Sequence, residues 1–81
     1  MFYHVQTYSD FINLMDWLHK KGYRWTSGVL PLINMAYWYE HKEDTLIYLN
    51  SKRISKGNIH DIPEILKHIP IYNAKEIKYI N

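Results

Sequence analysis

The stretch Gly22-Tyr23-Arg24-Trp25-Thr26-Ser27-Gly28 sets a guanidinium between two aromatic rings and follows it with two hydroxyls and a second glycine. A guanidinium pairs in a forked geometry with phosphate and also stacks on flat rings. Arg24 with the hydroxyls of Thr26 and Ser27 is therefore suited to holding an anionic group beside the plane of Trp25. Further along the chain, Tyr37 and Trp38 offer more planes on which a nucleobase stacks, and Arg53 and Lys56 offer more cations for phosphate oxygens. The competing structural reading is a helix stop, a buried strand and a turn, with Arg24 in solvent.

Catalytic chemistry has little to rest on. The chain lacks cysteine, and with it a thiol nucleophile, a thiolate metal site and a disulfide framework. It contains no Gly-x-Ser-x-Gly elbow and no Walker-type phosphate loop. His60, Glu64 and His68 share a spacing of four that resembles a metal site. Asp61, however, reads as a helix cap that leaves His60 outside, Glu64 completes the capping box and His68 suits a helix C-terminus. The expectation is a non-enzymatic protein with no metal and no cofactor.

The elements that must position these residues follow from periodicity. Phe2 to Gln6 reads as a short strand, and Thr7-x-x-Asp10 opens a helix whose apolar stripe is Phe11, Leu14, Met15 and Leu18. Trp17 lies about 100° from that stripe and should flank the core. Gly22 supplies the left-handed residue that stops the helix. Tyr23 to Thr26 then leaves as a strand, with Tyr23 and Trp25 inward and Arg24 and Thr26 outward. Met35 to His41 and Thr45 to Asn50 are aromatic and β-branched runs around Lys42-Glu43-Asp44, a hairpin signature. After a turn at Asn50-Ser51, Lys52 to Lys56 returns as a basic strand ending at Gly57-Asn58. Asp61-Ile62-Pro63-Glu64 announces a helix with the stripe Ile62, Ile65, Leu66 and Ile69, closed by Pro70. Ile77 to Ile80 reads as a last strand. The fold expected is α+β in the order β-α-β-β-β-α-β, a mostly antiparallel sheet on one main helix, with residues 1–81 forming one domain.

A chain of 81 residues buries only about 60–65% of its unfolded surface, a thin margin that association of copies would relieve. Both faces of the expected hairpin are apolar or aromatic, so a homo-oligomer, most simply a dimer, is expected. Ten Lys and Arg against eight Asp and Glu leave a net charge of +2, too weak for a dedicated duplex-DNA binder. Thirteen aromatic residues, eight of them Tyr, exceed what so small a core encloses, and Tyr and Trp suit surfaces that bind. The start MFYHVQT lacks the basic and continuously apolar regions of a secretory signal. The longest apolar run, Val29 to Tyr39, is broken by Pro31 and Asn34 and falls short of the roughly 20 residues of a membrane span. A cytoplasmic protein with no membrane contact is expected.

The segment LMDWLHKKGYRWTSG, then Pro31, AYWY, TLIYLNSKRIS and the Gly57-Asn58 turn resembles a group of small accessory proteins encoded by phages and prophages of Gram-positive bacteria. Their similar pattern is a helix, then Gly-aromatic-x-Trp-x-Ser-Gly, a tryptophan-bearing strand and a threonine-led strand. The resemblance spans roughly Val5 to Asn58 and stops before the C-terminal helix expected at Asp61. It implies an accessory role in the host cell, often interference with a host system. Two partners suit that role. One is a nucleotide-type immune signal, sequestered by stacking and phosphate pairing, with a dimer cleft helping to enclose it. The other is a host defence protein, inhibited by a docked aromatic face with a polar rim. Single-stranded nucleic acid is a weaker third, because the charge is marginal. Convergence of Arg24 with two hydroxyls beside aromatic rings favours the nucleotide.

Overall fold

The computed structural model describes residues 1–33 and 35–77. Helix α1 (Tyr8–Lys20) begins where the Thr7 hydroxyl accepts the Asp10 amide at 3.1 Å, a cap of the expected kind. It ends where Gly22, at φ 83°, lets the Tyr23 amide turn back to the Leu18 carbonyl at 3.0 Å. That is the glycine-terminated closure of a helix. Phe11, Leu14, Met15 and Leu18 are fully buried, so the stripe read from the sequence is the helix side of the core. Trp17 is half-buried at its margin, under the Lys21 ammonium at 4.9 Å.

Five strands form one sheet: β1 (Phe2–Val5), β2 (Arg24–Trp25), β3 (Thr45–Asn50), β4 (Arg53–Asn58) and β5 (Ile71–Asn73), in the spatial order β2-β4-β3-β1-β5. The class is α+β, but the expected antiparallel bias is corrected to a mixed sheet. β1 with β3 and β3 with β4 run antiparallel, while β2 with β4 and β1 with β5 run parallel. The parallel pairs arise because each edge strand is reached by a long connection instead of a hairpin. Alternation places Tyr3, Val5, Ile47, Leu49, Ile54 and Trp25 in the core with α1. Phe2, Leu46 and Tyr48 belong to the opposite face, where the Phe2 and Tyr48 rings lie 4.9 Å apart.

The hairpin expected from Met35–His41 and Thr45–Asn50 does not form. Its first arm is a 3-10 turn (Met35–Tyr37) running into the short helix α2 (Trp38–His41), and Lys42–Asp44 is another 3-10 turn. Met35, Tyr37, Trp38 and His41 are at least partly buried, Tyr37 and Trp38 consecutively, while Ala36, Tyr39 and Glu40 are exposed. A strand alternates by two. Burial of the Trp38 indole against Phe11, at 6.0 Å, outweighs the strand preference of an aromatic run. The true hairpin joins β3 to β4 through Ser51 and Lys52, both at positive φ (52° and 66°), the twist a two-residue hairpin loop needs.

The helix expected from Asp61 to Ile69 is also corrected. Only 3-10 turns form, Ile59–Asp61 and Glu64–Leu66. Asn58, not Asp61, caps the first, accepting the His60 amide at 2.8 Å. The stretch is too short to sustain a helix without burial, and Ile65, in the middle of the supposed stripe, is 79% exposed. The element order is therefore β-α-β-α-β-β-β. Its last strand lies at Ile71–Asn73. Ile77 follows a 3-10 turn and belongs to no strand, and the rest of the strand expected at Ile77 to Ile80 lies outside the described residues.

Candidate anion site on the open sheet face

Register brings two of the candidate cations together. In the parallel β2–β4 pair Arg24 lies directly beside Arg53, while the next residues, Trp25 and Ile54, turn into the core. Neighbouring strands are about 4.8 Å apart, so two exposed arginines leave the backbone side by side on the face opposite α1. Long side chains rooted at adjacent positions can both turn to one phosphate or to adjacent phosphates. The Arg24 Nη1 donates to the Gly28 carbonyl at 3.1 Å, which folds the side chain over its own turn. Among the described residues neither guanidinium has a carboxylate partner. Like charges set side by side in a sheet cost stability, roughly 0.2–1 kcal/mol.

The turn after β2 supplies the hydroxyls. The Trp25 carbonyl accepts the Gly28 amide at 2.8 Å, with Gly28 at φ 91°, which leaves Thr26 and Ser27 exposed at the tip. Hydrogen bonding of the Thr26 amide to the Ile54 carbonyl at 3.0 Å carries the pairing one step beyond the strand, beside Ser55. Ser55 in turn pairs across β3 with Tyr48. The face thus reads Arg24, Arg53 and Asn50 in one row, and Thr26, Ser55, Tyr48 and Phe2 in the next. Ser55 and Tyr48 were not singled out by the sequence. The basic strand expected at Lys52 to Lys56 is β4, and its alternation beside β3 is the signal that puts Ser55 and Tyr48 on this face.

The other candidates are placed elsewhere. Trp25 (3% exposed) and Trp38 (7%) are core residues, and Tyr37 stands edge-on to Trp25 at 4.7 Å and 86°. None of the three presents a free plane beside the arginines. Lys56 points toward the helix side, 2.7 Å from the Glu40 carboxylate and 4.5 Å over the Tyr37 ring, so its charge is already matched. Lys52 is likewise engaged: its ammonium donates to the Lys21 carbonyl at 2.8 Å and lies 5.1 Å over Tyr23. Among the described residues Arg24, Lys52 and Arg53 all lack a carboxylate partner, and of the three only the two arginines stand side by side on the face opposite α1. No helix among the described residues is long and apolar enough to cross a membrane. Compared with protein-family models, with curated proteins and with solved structures, the chain matches none.

Proposed function

We propose that this chain is a non-enzymatic binding protein that sequesters a nucleotide-type signal molecule, as an accessory protein of a phage or prophage acting inside its host cell. The observation that supports this reading is the in-register Arg24–Arg53 pair, exposed and without a carboxylate partner among the described residues, beside the Thr26 and Ser27 hydroxyls. Two adjacent uncompensated guanidiniums lower stability unless an anion joins them, and a phosphate ester supplies both charge and forked acceptor geometry. The aromatic partner differs from the one the sequence suggested. Tyr48, half-buried one row away on the same face, is the aromatic ring this reading assigns to a base, whereas Trp25 and Trp38 lie in the core and Tyr37 packs against it.

A thermal-shift titration tests this. A ligand at 100 times its Kd stabilises the fold by about 2.7 kcal/mol, and the shift should disappear when both arginines are replaced by alanine. A second reading, inhibition of a host protein, is favoured by a different observation. Tyr8, Ile12 and Tyr39 are exposed together on the helix side, with the two tyrosine rings 5.7 Å apart. Such a cluster suits a partner protein or a second copy of the chain. Co-purification of a host protein lost on Tyr39→Ala, with no nucleotide bound, would decide for it.

A further inference from the structure

The open face carries a cavity of about 290 Å³ that the arginine pair does not explain. It is lined by Phe2, Leu46, Tyr48 and Gly57 from the sheet and by Ile62 and Pro63 from the connection between β4 and β5, with Lys56 and Asp61 also in its wall. Gly57 pairs with Leu46 on this face, and a Cβ built there would meet no atom within 4 Å. The opening therefore exists because β4 carries no side chain at the position where its neighbour carries leucine. A glycine inside a strand weakens it and often marks the close approach of another group.

We infer that this cavity is a nucleobase subsite, and that a single nucleotide lies along β4 with its phosphate on Arg24 and Arg53 and its base against Tyr48 and Gly57. The inference rests on the arginine pair as the phosphate site and extends it. From Arg53 the strand passes Ser55 and reaches Gly57, a path of about 13 Å at roughly 3.3 Å per residue, within reach of one extended nucleotide. The chemistry changes along that path in the order a nucleotide requires. Guanidiniums come first. The Ser55 and Thr26 hydroxyls follow, level with the tilted Phe2–Tyr48 ring pair, and the open space over Gly57, walled by Ile62 and Pro63, comes last. A bare polyphosphate would use only the first part of this path.

The test compares inorganic tripolyphosphate with a panel of mononucleotides and linear and cyclic dinucleotides of the four bases, by calorimetry on the full chain. At least one nucleotide should bind the wild type at least 10-fold more tightly than tripolyphosphate. Gly57→Leu fills the cavity and should bring that nucleotide down to the tripolyphosphate level while leaving tripolyphosphate affinity unchanged. Gly57→Ala, a smaller filling that strand backbone accepts readily, should give an intermediate loss and serves if the leucine variant melts early. Equal affinity of all nucleotides and tripolyphosphate, or a nucleotide preference that survives both substitutions, overturns the base subsite and leaves the phosphate site standing. Failure of the wild type to bind either class overturns the arginine reading itself, and this one with it.

Discussion

Replacing Arg53 by alanine separates binding from folding more cleanly than any other single change. The side chain is exposed, makes no ion pair among the described residues and sits beside a like charge. Its removal takes no contact from the core. Stability should stay within about 0.5 kcal/mol of the wild type, as for an ordinary surface site. Relief of repulsion from Arg24 should push it slightly upward. Binding should suffer much more. Loss of a charge-assisted contact to phosphate is worth roughly 1.5–3 kcal/mol, a fall of about 10-fold to 150-fold in affinity. Arg24→Ala should behave alike, with a small extra cost from its exposed hydrogen bond to Gly28. Arg53→Lys should recover only part of the affinity, because an ammonium lacks the fork. Calorimetry for affinity and thermal melting for stability, run on each variant, provide both axes. Full affinity in Arg53→Ala refutes the phosphate site. A stability loss above about 1 kcal/mol refutes the claim that the arginine is outside the structural framework.

Other consequences follow from the same structure. Trp25→Ala empties a core position (3% exposed) and should cost roughly 3–5 kcal/mol, a large part of a small domain's total, seen as a collapse of the melting transition. Thr7→Ala removes the helix cap and should lower stability by about 1 kcal/mol in urea titration. Burial first, then the neighbouring Tyr23 and Tyr72, raises the Tyr3 hydroxyl above its ordinary pKa of 10.0. Folding then favours the neutral phenol, so this contribution is complete below the unfolded value and is lost as pH rises through the folded one. Ultraviolet titration should show one late-ionising tyrosine, which Tyr3→Phe abolishes. The homo-oligomer expected from the thin core should scatter light at twice the 9.9 kDa chain mass or more. A monomer at high concentration would overturn that expectation.

The parts of the fold legible in the sequence were those governed locally. Thr7, the stripe from Phe11 to Leu18 and Gly22 define α1 through capping, a 3.6-residue period and a left-handed stop, and all three act within a few residues. Tyr23 to Thr26 was readable by alternation for the same reason. Met35 to His41 was not, because its aromatic content speaks for a strand while the consecutive Tyr37 and Trp38 both turn inward. That choice is made by the distant Phe11 and Tyr8 rings against Trp38. The segment from Asp61 showed a sound start signal, yet Ile65 finds nothing to pack on, so tertiary context withholds the burial that a short helix needs. The candidate site divides along the same line. Arg24, Thr26 and Ser27 are neighbours in sequence, whereas the adjacency of Arg24 and Arg53 depends on a parallel pairing that no local pattern encodes.

The most direct test of the central claim is the small-molecule content of the protein itself, purified from host cells with an active defence response, denatured and analysed for phosphorus and ultraviolet-absorbing material. The account predicts a phosphorylated, base-containing molecule in fixed ratio to the chain, and its absence from the Arg24→Ala, Arg53→Ala double variant purified in parallel. A clean extract from the wild type, or the same molecule in equal amount from the double variant, would contradict it.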